Sequence, residues 1–547
     1  MTARLCAALE RRTGYAAWSV VGSVSGLVLL GITMVGLYWD VAWHIDLGRD
    51  EEVLSPPHLL VLTALTGLIG VALLTIATAT ATGADVRLRL GRWRLPWSAL
   101  LLLAFRAGGL VAFVLDSLWH DAYGVDVTLL SPPHLGLLAS GSLSAVALWL
   151  MLAEGRVRPG PVPPAPPGRS GPEFPAPPGR SGPTRLGRAL HVVTLASVLI
   201  GLSTYQAEYD YGVPLFPVVL LPVLIMAAAG LGLTTARLAL GRGGAMAAAV
   251  GFLVLRGALA PVIGGLGHVM PSTALYLPAA LAVELAAWRF GTQSRLRFAL
   301  ASGGLLASVG LAGEWAWAVT AGGHQLATAS WPLAVSLAAS AAVGAAVLGT
   351  ELAGSRLPRV VLAGAAALLV LAVAVATQRQ VGRVEATVAI DRLDGDAIVD
   401  LEVRPPGAAR GADLLEVWSG QGGGRIQARL QEVAPGRYRA DRAVPVGGEW
   451  KTLIALYRGR EVMATPIRLP ADFEIGAAEV PAQALRHGEL TSMTTVLLRE
   501  AHAGPTWTAV ATYSTLAALL AVWLLLLAGS RALFQPPTTP VPAFSPP

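Results

Sequence analysis

Two stretches of the sequence carry the same chemically active residue types at the same spacing. "WDVAWHIDLGRDEEVLSPPHL" starts at Trp39, and "LDSLWHDAYGVDVTLLSPPHL" starts at Leu115. Moving the first stretch by 76 positions, from Asp40 to Asp116, aligns eleven identical residues without a gap. We infer a tandem duplication in which each unit is a helix, an outer loop and a second helix, both in the same orientation.

Each unit contains one carboxylate and two imidazoles that a helical hairpin would bring together. Asp40 and His44 are four residues apart, as are Asp116 and His120, so each pair lies on one helix face about 6 Å apart along the axis. A Pro-Pro precedes the second histidine of each unit, and proline is tolerated in the first turn of a helix. The predicted sites are therefore Asp40, His44 and His58, and Asp116, His120 and His134, with donors suited to copper, zinc or non-haem iron.

Neighbouring side chains are candidates for orienting these ligands. Polar loop groups often fix the imidazoles of a metal site through hydrogen bonds. The alternative is that the histidines and tryptophans form an ordinary aromatic belt at the membrane surface, which a duplication would copy equally well. Three ligand residues that occur at the same positions in both copies favour the metal site. The candidate supporting residues are Arg49, Asp50, Asp126, Trp43 and Trp119.

The composition is typical of an integral membrane protein. Of the 547 residues, 54% are hydrophobic and only 14% are charged, whereas soluble domains carry about a quarter charged residues. Runs long enough to cross about 30 Å of hydrocarbon predict twelve spans, at 17–39, 57–81, 96–115, 132–153, 188–205, 213–236, 244–266, 272–290, 298–320, 331–352, 358–378 and 506–530.

The arginines predict the orientation of these spans. They collect in alternate short loops, so the net charge of +6 reflects membrane topology rather than a nucleic-acid partner. The Arg-rich loops are assigned to the cytoplasm of a plasma-membrane protein with both termini inside. Both site loops and the segment 379–505 then face outward. The single cysteine, Cys6, excludes a disulfide framework.

The chain divides by composition into a helical membrane protein with an inserted extracytoplasmic β-domain. Alternating segments such as "VEATVAI" and "RIQARLQEV", separated by Gly and Pro turns, predict an antiparallel β-sandwich. "GEWKTLIALYRGREV" resembles extracytoplasmic immunoglobulin-like modules of the YtkA and FixH type. The predicted divisions are paired hairpins at 1–154, a Pro/Gly-rich linker at 155–185, a seven-helix domain at 186–378, the β-domain and its connection at 379–505, a helix at 506–530 and a disordered tail at 531–547.

The duplicated motif resembles the metal-site segments of the C subunit of copper membrane monooxygenases, the particulate methane and ammonia oxidisers. The shared pattern is Asp-x3-His-x13-His with Trp before the first His, and it covers about residues 17–150. That family has one Asp/His/His and one Asn/His/His site. The resemblance implies that the first unit matches the former with one extra loop residue and the second unit matches the latter with Asp116 in place of Asn. The His-x-His motif of the family's B subunit is absent from the sequence.

The resemblance implies a copper protein that oxidises small apolar substrates, and the donor set leaves zinc or iron as alternative metals. The other hypotheses are a copper or zinc transporter or store, and a scaffold whose β-domain binds a partner. Arg106 within a span would repel cations, which disfavours transport. Arg49 lies near the first site where the second has Val125, so Asp116, His120 and His134 are the predicted reactive site. Expected partners are lipid and further membrane subunits or copies of the chain.

Overall fold

The computed structural model shows a helical bundle joined to a separate β-domain. It describes residues 3–47, 54–124, 129–156, 183–321, 327–378, 380, 382–421, 424–472, 476–497 and 503–534. Its helices are α1 (Ala3–Thr13), α2 (Ala17–Leu47), α3 (Pro56–Ala81), α4 (Trp97–Tyr123), α5 (Pro132–Glu154), α6 (Arg185–Ser203), α7 (Ala207–Asp210), α8 (Leu220–Leu240), α9 (Gly244–Gly265), α10 (Leu277–Phe290), α11 (Arg295–Leu305), α12 (Leu311–Ala321), α13 (Trp331–Leu352), α14 (Arg359–Thr377), α15 (Met493–Leu497) and α16 (Thr506–Gly529).

Eleven stretches of helix within the described residues are long and apolar enough to cross a membrane. The prediction of a polytopic helical protein is confirmed at this level, but the predicted count of twelve is wrong. The difference lies at 272–290, where α10 has only 14 residues and is about 21 Å long. Residues 269–276 before it have no regular structure. Most of the predicted linker, at 157–182, and of the predicted tail, at 535–547, lies outside the described residues.

The start of α10 is held by a carboxylate from another helix. Glu314 accepts hydrogen bonds from the backbone amides of Leu275 and Tyr276, and Tyr276 has a left-handed φ of 55°. Amides at a helix start need such acceptors where water is excluded. The interruption before α10 therefore explains why a carboxylate, Glu314, lies within a predicted span: it satisfies the backbone amides that the interruption leaves without helical partners.

The two duplicated hairpins pack together as one four-helix group. In addition to the pairs α2–α3 and α4–α5 within each unit, α3 packs on α4 and α2 packs on α5. Small residues allow close approach: a Cβ at Gly109 of α4 would lie 2.3 Å from Ser140 Oγ of α5. Close contacts at small residues are a usual basis of helix association in membranes. The packing brings the two site-bearing units side by side.

The β-domain is a closed antiparallel barrel, so the predicted sandwich is wrong. The barrel order is β10, β11, β12, β3, β5, β8, β7, β6 and back to β10. Closure occurs because β7 pairs with β6 through its first half and with β8 through its second, while β12 pairs with both β3 and β11. The strands are β3 (Val384–Ile390), β4 (Asp396–Ala397), β5 (Val399–Arg404), β6 (Leu414–Gln421), β7 (Gly424–Ala434), β8 (Arg437–Ala440), β9 (Val444–Pro445), β10 (Lys451–Arg458), β11 (Glu461–Arg468) and β12 (Leu485–Ser492), and an earlier hairpin joins β1 (Leu88–Leu90) to β2 (Trp93–Leu95).

Side chains fill the barrel, as expected for eight strands. Alternate residues of β3 are buried, and they join a separate hydrophobic core that includes Val388, Leu401, Val417 and Ile454. Tyr457 donates a hydrogen bond to the carbonyl of Pro214 in the helical part. The barrel is thus an independently cored unit that rests on the loop between α7 and α8.

The orientation of the chain in the membrane stays a prediction with a direct test. The arginine distribution places the barrel outside and both termini inside. A phosphatase fusion at Trp450 is expected to be active, whereas a fusion at Gly155 is expected to be inactive and a fluorescent-protein fusion there bright. An inactive phosphatase at Trp450 in a correctly inserted protein would contradict the assignment.

Candidate metal centre

The first predicted site is assembled by α2 and α3. Asp40 and His44 lie on one face near the end of α2, and His58 lies in the first turn of α3 behind Pro56 and Pro57. Asp40 Oδ1 is 3.6 Å from His44 Nε2 and 3.0 Å from His58 Nε2. The prolines are compatible with this position because the first amides of a helix need no intrahelical acceptor.

The second site repeats this arrangement on α4 and α5. Asp116 Oδ2 is 3.5 Å from His120 Nε2, and Asp116 Oδ1 is 3.3 Å from His134 Nε2. The ring centroids of its two histidines are 6.1 Å apart, compared with 5.9 Å for His44 and His58. The duplication therefore preserves the three-dimensional arrangement as well as the residue types.

Each triad could hold a metal ion. In each, one donor atom per residue lies within 4.8 Å of the others. Bonds of about 2.0–2.2 Å to a tetrahedral ion would place donors about 3.3–3.6 Å apart, and the separations between Asp and His donors fall close to this range. The six side chains are 17% to 26% exposed, so they are largely shielded from solvent but remain reachable by a metal ion.

Both triads face one cavity. A cavity of about 900 Å³, the chamber, is lined by all six triad side chains. The barrel supplies part of the outer wall through Trp418, Arg425 and Lys451. Two metal ions held here would share one substrate-sized space.

The two described candidates for supporting residues, Trp43 and Trp119, pack on other ring side chains. Trp43 packs against Trp39 and His268, with ring centroids 6.2 Å apart in each case. Trp119 packs on Tyr123, with centroids 4.5 Å apart. These contacts brace the ends of α2 and α4. The other predicted supporting residues, Arg49, Asp50 and Asp126, lie outside the described residues.

One supporting contact in the second triad comes from the backbone. His120 Nδ1 lies 3.4 Å from the carbonyl oxygen of Gly124. Donation to that carbonyl leaves Nε2 as the unprotonated nitrogen, directed to Asp116 and available to a metal. Gly124 occupies a positive φ of 89°, which glycine adopts readily. The identical glycine in the first unit, Gly48, is outside the described residues.

A buried ion pair between α7 and α9 supports the first triad. Asp210 and Arg256 are 2.8 Å apart and are 3% and 2% exposed. Tyr38, two residues before Asp40, donates to Asp210 Oδ2 at 2.8 Å, and its carbonyl accepts from Tyr211 at 2.6 Å. Arg256 and Asp210 are 46 residues apart in the chain. Their pairing depends on the packing of distant helices.

Glu208, which lies in α7 with Asp210, joins the second unit to the same segment of the chain. Its carboxylate accepts from the backbone amides of Leu129 at 2.7 Å and Leu215 at 2.9 Å. Leu129 leads into the Ser-Pro-Pro-His of the second triad. The acidic segment 205–212, which contains α7, therefore contacts both hairpins.

Comparisons with known proteins do not assign a family. No family model, curated protein or solved structure gives a significant match to the chain.

Proposed function

We propose that the protein is a membrane metalloprotein that holds one copper ion at each Asp/His/His triad and oxidises small apolar substrates in the chamber. The observation that carries the proposal is that both triads line the same cavity. The resemblance of the motif to copper membrane monooxygenases supports copper. Zinc and iron are the alternatives that the same donors accept.

The residues that line the chamber have two roles, binding metal and forming an apolar wall. Asp40, His44 and His58, and their counterparts in the second unit, supply the ligand atoms. Bound copper supplies redox chemistry, including the activation of dioxygen. Apolar side chains such as Leu30, Leu65 and Leu137 line the remainder of the chamber. They favour an apolar substrate and limit the entry of water.

The structure also bears on the rival functions. Transport of a cation would require a polar route inward from the triads, and Arg106 lines the chamber there instead. A scaffold would leave the barrel free for a partner, but barrel residues form part of the chamber wall. A store without turnover uses the same triads, so experiment must separate it from an oxidase.

Metal analysis of the purified protein is the deciding experiment. We expect two equivalents of copper per chain by mass spectrometry, with Cu(II) resonances from nitrogen and oxygen ligands. Oxygen consumption with a short hydrocarbon and an added chemical reductant, compared with the reductant alone, would then distinguish an oxidase from a store. A protein that folds and takes up no copper, zinc or iron would refute the proposal.

The second triad is expected to be the reactive one. Its loop has Val125 where the first has the cation Arg49, and a nearby positive charge disfavours the higher oxidation state of a metal. Asp116→Ala should lower oxygen-dependent turnover at least about tenfold more than Asp40→Ala. The two variants are compared at matched copper content, with copper reoxidation as the assay if a substrate is lacking. Equal losses, or a larger loss in Asp40→Ala, would reverse the assignment.

A further inference from the structure

A buried cation lies deep in the chamber, away from the triads. Arg106 is on α4, ten residues before Asp116 and therefore about 15 Å further along the helix. It lines the chamber and is 2% exposed. Its Nη1 donates to Ser140 Oγ at 3.1 Å. Among the described residues its Nε and Nη2 have no hydrogen-bond partner.

The surroundings of Arg106 do not neutralise its charge. No carboxylate of the described residues lies within 4 Å of the guanidinium. Ser140, its only hydrogen-bond partner there, is uncharged and itself donates to the carbonyl of Phe105. A buried charge is costly unless it is paired, and charged residues inside membrane spans are usually functional. Within the described part of the chain, no anion therefore balances the charge of Arg106.

The two unpartnered nitrogens indicate the shape of that anion. Nε and Nη2 form one edge of the guanidinium, and this edge can donate two parallel hydrogen bonds to the two oxygens of a carboxylate. A carboxylate also carries the single negative charge that balances one arginine. Leu65, Leu138 and Val193 lie on the chamber wall with Arg106, so the remainder of the ligand should be apolar.

We propose that the chamber binds an apolar-chain carboxylate whose head group pairs with Arg106. The cavity of about 900 Å³ is within the range of sites for such molecules. The apolar chain would extend from Arg106 toward the triads. This site goes beyond the proposed metal chemistry and does not require a bound metal.

Octanoate and octan-1-ol test the proposal because they share a chain length and differ in charge. Their binding is measured by calorimetry on the full-length protein in nanodiscs, with empty nanodiscs subtracted. Octanoate is expected to bind wild type at least about tenfold more tightly than octanol. Arg106→Gln should reduce this ratio to about one, while Arg89→Gln, which removes an exposed arginine, should leave it unchanged.

A second variant separates Arg106 from the metal sites. Protein with His44→Ala and His120→Ala should keep the preference for octanoate. Loss of the preference in that protein would place the carboxylate at a triad and overturn the proposal, as would equal affinities in wild type. If Arg106→Gln does not fold, Arg425→Gln with Lys451→Gln, which removes two other cations of the chamber lining, decides the question: the preference for octanoate should remain, and its loss would overturn the proposal.

Discussion

His44→Ala combined with His120→Ala is expected to remove nearly all bound metal from the folded protein. Each triad contains its full donor set within one hairpin, so each single substitution should remove about half. Loss of one of three ligands weakens a metal site strongly, because two protein donors hold an ion much less tightly than three. The measurement is metal content per chain after gel filtration and equilibrium dialysis.

His487→Ala is the matched control for this experiment. His487 is exposed on β12 and lies near Thr387 Oγ1, outside the triads, so its removal should leave metal content unchanged. Unchanged stoichiometry in the double variant would show that the triads are not the metal sites. A total loss in either single variant would show instead that the two triads act as one site.

Asp210→Asn is expected to destabilise the protein by about 3–5 kcal/mol, because it leaves the charge of Arg256 buried and unpaired. Both side chains are almost fully buried. Since Tyr38 binds the same carboxylate, the first triad should also bind its metal less tightly than the second. Denaturant titration measures the free energy of unfolding, and metal titration reports the two affinities.

Two further variants make this prediction specific to the ion pair. Asp210→Leu with Arg256→Met should restore much of the stability, because it removes both charges together. Asp85→Asn breaks the exposed pair between Asp85 and Arg89 and should have no measurable effect. If Asp210→Asn matched wild type in both stability and metal affinity, the pair would have no supporting role.

The arrangement inside each triad followed from local rules. A four-residue spacing fixes Asp40 and His44 on one face of α2, and the double proline fixes the start of α3 at the next ligand. The shared chamber could not be predicted in this way. It depends on the packing of α2 on α5 and of α3 on α4. The hydrophobic periodicity of apolar helices with similar composition does not show which of them pack together.

The errors in the predicted fold have a related cause. Strand periodicity located β3 and β7, but it does not say which strands pair. Closure of the barrel depends on β12, whose "LRHGELTS" has a single buried residue, Leu490, and lacks clear alternation. The break before α10 was missed because hydropathy counts the apolar residues of 272–276 whether or not they are helical. The partner that permits the break, Glu314, is some 40 residues away in the chain.

The wall that the barrel contributes to the chamber also sets an order of events during biosynthesis. The triads are complete once residue 134 has been made, but Trp418, Arg425, Lys451 and Leu497 of the chamber lining are synthesised in the last quarter of the chain. Until those residues have been translated and the barrel has folded against Pro214, the nascent chain exposes its metal ligands in an unfinished cavity. A metal ion bound at the triads as proposed would consequently be enclosed late in maturation, after insertion of the first four helices.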